Sequence, residues 1–145
     1  MEEKAFTSIF YADDDVDDLD FFKEVTTEIN QAVSLFEEGE KLLQQLHNPP
    51  PQASVIFLDL NMPIKSGFEV LQEIKATPAI GNIPVVILTT SSNPSDIELC
   101  KNLGVDLYIR KPTSVQDLKK AINYVLSIDW NTYHTSNKEF VYHRY

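Results

Sequence analysis

Five short apolar runs rich in β-branched and aromatic residues recur along the chain, at 6–12, 32–36, 53–60, 83–89 and 105–109. Each has the length and composition of a β-strand. The segments between them change period. Phe21, Phe22, Val25 and Ile29 share one helical face, as do Leu42, Leu43 and Leu46, then Phe68, Leu71 and Ile74, then Ile97, Cys100 and Leu103. A fifth amphipathic stretch follows the last strand, carrying Val115, Leu118, Ile122, Val125 and Leu126. The third, fourth and fifth strands are almost wholly apolar rather than alternating, as strands covered on both faces of a parallel sheet are. Strict β-α alternation then predicts an α/β domain, a doubly wound five-stranded parallel sheet with helices on both faces.

Local signals set the boundaries. Asn93, Pro94 and Asp96 read as an N-cap, an N1 proline and an acidic first turn, and Gly104 stands where a helix ends. The run Pro49, Pro50, Pro51 continues neither helix nor strand and marks a loop. Periodicity stops after Ile128, which divides the chain into one domain at 1–128 and an aromatic-rich extension at 129–145, with no separate output domain.

Composition narrows the classes of function. A chain of 145 residues is one domain's worth and buries enough surface to do without disulfides or a structural metal. The single cysteine, Cys100, forms no internal bridge and fits a reducing, cytoplasmic setting. A net charge of −10 repels phosphate backbones and anionic lipid, so direct nucleic-acid or membrane binding is not expected. Residues 1–4 lack the basic start of a signal peptide.

Ligand sites of open parallel sheets form beyond the carboxyl ends of the strands. There the first strand delivers Asp13, Asp14 and Asp15, the third Asp59, the fourth Thr89, and the fifth is followed by Lys111-Pro112. Carboxylates, a hydroxyl and an ammonium from distant parts of the chain suit a hard divalent cation and a phosphoryl group. The cation relieves repulsion among the carboxylates, and the lysine and hydroxyl hold phosphoryl oxygens. Asp59, alone at its strand end, is the natural nucleophile.

These residues carry a resemblance. Asp13-Asp14, the run Asp59-Leu60-Asn61-Met62-Pro63 with Gly67, Thr89-Thr90, and Tyr108 with Lys111-Pro112 are similar to the signature of response-regulator receiver domains of the CheY-like kind, over about residues 7–128. The resemblance implies a flavodoxin-like strand order 2-1-3-4-5, an order for which CheY is itself the stock example. It also implies Asp59 as the acceptor of a phosphoryl group from a histidine kinase or histidine phosphotransfer protein. Mg²⁺ would be held by Asp14, Asp59 and the backbone carbonyl of Asn61, with Asp13 acting through water. Lys111 is implied as the phosphate-binding lysine on a cis bond to Pro112, and Thr89 and Tyr108 as the switch pair. Output would pass to a downstream protein target through the face around the fifth strand. Two positions depart from the commonest pattern: Lys65-Ser66 precedes Gly67, and Thr90 follows Thr89 where alanine is frequent.

Other readings of the same residues are weaker. Asp17, Asp18 and Asp20 are explained as a solvated helix start, where negative charge is favourable. Asp13, Asp15, Asp17 and Glu24 match a calcium loop at positions 1, 3, 5 and 12, but position 6 is Asp18 instead of glycine and a strand precedes it. A haloacid-dehalogenase-like phosphatase would need an acid two residues after Asp59, where this chain has Asn61. His47, His134 and His143 lie outside every motif. The extension carries Trp130, Tyr133, Phe140, Tyr142 and Tyr145. That density of rings, and the strand-like run Phe140-Val141-Tyr142, predict that it packs on the domain or on a second copy as a homodimer.

Overall fold

A computed structural model describes residues 7–133 and 139–143. Residues 1–4, Phe6, His134 and Tyr145 fall outside them. Elements alternate as β1 (Ser8–Ala12), α1 (Val16–Glu28), β2 (Ala32–Phe36), α2 (Gly39–His47), β3 (Val55–Leu58), α3 (Gly67–Ala76), β4 (Val85–Thr89), α4 (Pro94–Asn102), β5 (Leu107–Arg110) and α5 (Val115–Ser127). All strand pairings are parallel, in the order β2-β1-β3-β4-β5. The doubly wound sheet is as expected.

Each sheet face carries its own core. Leu42, Leu43 and Leu46 of α2, Val70, Leu71 and Ile74 of α3, and Cys100 of α4 cover one side against Phe10, Ile56, Leu58 and Ile87. Leu19, Phe22 and Val25 of α1 and Leu118, Ile122 and Val125 of α5 cover the other against Ile9, Tyr11, Phe57 and Val86. This two-sided burial is why the central strands lack polar alternation. Four strands, β1, β3, β4 and β5, are shorter than their apolar runs. Ala53, Leu60 and Val105 are buried but unpaired in the sheet, and composition alone does not separate a buried strand residue from a buried loop residue.

The helix ends follow the local chemistry. Asn93 accepts the Ser95 N–H at 3.0 Å ahead of Pro94, and Gly104 adopts φ 92° after α4, the left-handed conformation that glycine takes without a Cβ clash. Ser66 and Glu69 form a reciprocal capping box at α3, while Lys65 pairs with Glu40 at 3.2 Å and Glu73 at 3.4 Å. The Lys65-Ser66 departure therefore serves local structure.

Part of the extension packs on the domain. Val141 forms a parallel bridge with Tyr108 on the outer edge of β5, and Phe140 and Tyr142 are buried. Among the described residues no helix is long and apolar enough to cross a membrane.

Candidate functional site

Three strand ends and one loop build the cleft. β1 ends one residue before Asp13, which is fully buried, whereas Asp14 is exposed. β3 is followed by Asp59, only 4% exposed, whose N–H donates to Ala12 O at 3.0 Å and so carries the β1–β3 ladder into the site. One carboxylate oxygen from each of Asp13, Asp14 and Asp59 lies within 4.8 Å of the others. Thr89 ends β4 and is fully buried, and its hydroxyl lies near enough to the Asp59 carboxylate to favour the charged form.

Gly67 makes the Asp59 turn possible. A Cβ there would lie 2.2 Å from Asp59 O and 2.7 Å from Leu60 Cα, so the first turn of α3 approaches the Asp59 backbone as only glycine allows. In the same loop Ile64 stands 96% exposed at φ 68°, a strained conformation for a β-branched residue. Nothing in the sequence pattern signals it.

Lys111 enters from beyond β5. Its N–H donates to Thr89 O at 2.7 Å, which extends the β4–β5 ladder by one residue and aims the side chain into the cleft. The ammonium lies 2.7 Å from Asp13 Oδ2, 2.7 Å from Asp18 Oδ2 and 3.6 Å from Asp59 Oδ2. One expectation is corrected here. The cis peptide bonds among the described residues are Pro49–Pro50 and Pro50–Pro51, so Lys111–Pro112 is trans; the ladder bond already sets the direction of the lysine, and trans is the commoner state.

The electrostatics are unbalanced. Burial, then the negative charge of Asp13, pushes the Asp59 carboxyl from its ordinary 3.8 up to about 6, against the opposing pull of Lys111, the Thr89 hydroxyl and the Asn61 backbone. Burial draws the Lys111 ammonium down, but its hydrogen bonds to Asp13 and Asp18 and the charge on Asp59 outweigh this and hold it above the ordinary lysine value. Tyr11 donates its hydroxyl to Asp13 Oδ2; burial first and Asp13 second raise its phenol. Three clustered carboxylates facing one ammonium leave surplus negative charge, and this oxygen-rich donor set fits a hard divalent cation.

Two participants are not evident from sequence. Asp18 does not belong to a solvated helix start, as Asp17 and Asp20 do; it turns inward from the first turn of α1 onto Lys111. Tyr11 reads as an ordinary strand residue, and only the structure shows its hydroxyl on Asp13. Tyr108 is 1% exposed, with its hydroxyl donating to Ser91 O at 2.9 Å. Thr90 is exposed at the cleft mouth. Cys100 is buried, its thiol pushed up to about 12 by burial and then by Asp96, which makes it inert.

A sheet of this order with an acidic cleft at its switch point defines a class. The profile of the response regulator receiver domain matches residues 9–123, and the chain belongs to that family, the receivers of two-component signalling. Response regulator Rcp1 of Synechocystis is 44% identical over 77 residues, 53% of this chain and 52% of that protein. A probable cyclic di-GMP phosphodiesterase of Vibrio cholerae is 32% identical over 123 residues, 85% of this chain but 27% of that protein. The chain thus spans about half, or less, of these curated relatives. Among solved structures, the phosphorylated cyanobacterial phytochrome response regulator RcpA superposes with a TM-score of 0.76 at 30% identity, covering 90% of this chain and 98% of RcpA. The Mn²⁺-bound form of Rcp1 gives a TM-score of 0.74 at 32% identity, covering 87% and 96%.

Proposed function

We propose that the chain is a phosphorylation-controlled switch in which Asp59 accepts a phosphoryl group from the phosphohistidine of a histidine kinase or histidine phosphotransfer protein. The observation that carries this reading is the convergence on buried Asp59 of Asp13, Asp14, Thr89 and Lys111 from three other strand ends. A carboxylate oxygen of Asp59 attacks phosphorus, the phosphorus–nitrogen bond breaks, and the imidazole leaves as the neutral base after taking a proton. The product is an acyl phosphate.

Asp13, Asp14, Asp59 and the Asn61 carbonyl would hold Mg²⁺, which when bound neutralises charge between the incoming group and the acceptor. The Mn²⁺ in the Rcp1 structure supports a divalent cation for this set. Lys111, 3.6 Å from Asp59, takes a phosphoryl oxygen on one side and the Thr89 hydroxyl takes another. Thr89 then draws toward the phosphoryl group, which favours the buried position that Tyr108 already holds here. The changed surface around β5, with α4 and α5, is what a downstream protein reads. Asn61 supplies no general acid for ester turnover, so the chemistry stops at the acyl phosphate and its slow hydrolysis.

Incubation with Mg²⁺ and phosphoramidate tests the reading. One acid-stable, hydroxylamine-sensitive phosphoryl group per chain is expected, and none on Asp59→Asn. Equal labelling of that variant, or sustained turnover of an aryl phosphate, refutes it.

A further inference from the structure

Tyr108 joins two structures that the phosphorylation chemistry does not itself connect. On the side of its ring, the hydroxyl donates to Ser91 O at 2.9 Å, and the Ser91 N–H donates to Thr89 Oγ1 at 3.4 Å. Thr89 in turn ends β4 beside Asp59, whose charged form its hydroxyl favours. On the side of its backbone, Tyr108 is clasped by the extension. Its N–H donates to Phe140 O at 3.0 Å, and its carbonyl accepts the Tyr142 N–H at 2.9 Å. Phe140 is 8% exposed with its ring 6.2 Å from that of Tyr108, and Tyr142 packs on Tyr124 of α5 with ring centres 5.3 Å apart.

The clasp determines where the Tyr108 ring rests. An outward swing breaks the bond to Ser91 O and leaves a void beneath Phe140, whose lining loses its contacts outright. Removing Phe140 uncovers the ring and eliminates that penalty. The inward position is also the one Tyr108 takes when Thr89 moves onto a phosphoryl group, so both events select the same rotamer. Two events that favour one state favour each other by the same factor.

We propose that the segment 140–142 is a positioning element for Tyr108, so that its seating on β5 and the filling of the Asp59 site by a phosphoryl group reinforce one another. The proposal rests on the acceptor reading above. It makes the extension part of the switch rather than a passive cover, and it places Phe140 and Tyr142 as positioning residues acting through Tyr108.

Beryllofluoride, a phosphoryl mimic, tests this on the full-length chain in the presence of Mg²⁺. The variant Phe140→Ala/Tyr142→Ala is expected to need about 5- to 20-fold more beryllofluoride for half-saturation, in the lower part of the usual range of coupling between sites. Mg²⁺ affinity measured without beryllofluoride stays unchanged, which a general loss of folding would not allow. Phe140→Leu, which keeps the segment but loses the ring contact, shifts in the same direction by less. In a Tyr108→Ala background the extension variants have no further effect. Beryllofluoride conversely slows hydrogen exchange of the Tyr108 and Tyr142 amides, independently of protein concentration. Unchanged or tighter beryllofluoride binding by both extension variants, an effect that survives in Tyr108→Ala, or a concentration-dependent effect overturns the proposal. A wild type that binds no beryllofluoride and takes up no phosphoryl group overturns the acceptor reading itself, and the coupling with it.

Discussion

Asp59→Asn is predicted to make the metal-free protein more stable, although it removes the proposed acceptor. Asp59 is 4% exposed and is pushed from 3.8 to about 6, first by burial and then by Asp13, with Lys111 and Thr89 opposing. A raised carboxyl binds its proton more readily folded than unfolded, so its stabilising contribution is complete below 3.8 and is lost as pH rises through about 6. Ionised Asp59 therefore costs stability at neutral pH, by about 2–3 kcal/mol at about 1.4 kcal/mol per pH unit of difference. Asparagine imitates the neutral acid at every pH. The difference between variant and wild type is then near zero at about pH 4 and reaches its full size near pH 7 or above, about 5–10 °C in Tm for a chain of this length. Thermal and urea unfolding of both proteins in chelator across that range measures it. Adding Mg²⁺ stabilises the wild type by mass action and narrows the gap. An Asp59→Asn protein no more stable than wild type at neutral pH in chelator, or a difference that does not change with pH, refutes the electrostatic account of the cleft.

Asp18→Ala removes one of the two carboxylates 2.7 Å from Lys111. Because Asp18 is a third exposed, the loss is set at about 1 kcal/mol, below the usual figure for a buried charged hydrogen bond; unchanged urea midpoints would show that the contact contributes nothing. Gly67→Ala drives a methyl to within 2.2 Å of Asp59 O, and the backbone shift is expected to cost about 3 kcal/mol and to slow labelling by phosphoramidate. A variant with wild-type midpoint and labelling rate would refute the close-approach explanation.

The fold was legible because its signals are local and repeat: apolar runs for strands covered on both faces, helical spacing between them, and caps such as Asn93 that act within four residues; the Ser66 capping box, by contrast, came only from the structure. The acceptor constellation was legible for a different reason. Strand ends of a parallel sheet project to one side, so Asp13, Asp59 and Thr89 converge whatever the loops do. Asp18 and Tyr11 were not legible in this way, because their roles depend on where the long Lys111 side chain and a buried phenol come to rest. A carboxylate in a run of six aspartates gives no periodic sign of which member turns inward. The ring density of the extension pointed to packing, yet the partner it found, the backbone of Tyr108, is a matter of register and not of composition.

The imbalance in the cleft and the clasp on Tyr108 bear on the same equilibrium from opposite ends. Asp13, Asp14, Asp18 and Asp59 hold more negative charge than Lys111 neutralises, an electrostatic cost that a cation would relieve; on the proposed reading, the poorly accommodated charge of Asp59 also favours its reaction. Thr89 and Tyr108 are both buried, which leaves no slack for the ring to move without a matching change beneath it. With Phe140 seated over Tyr108, the proposed coupling has part of the ordering of the switched state met before any phosphoryl group arrives. If the proposed coupling holds, a receiver built in this way responds to smaller occupancy of its acceptor than one whose aromatic switch lies unclasped at the sheet edge, since the free energy the phosphoryl group must supply falls by whatever the extension contributes.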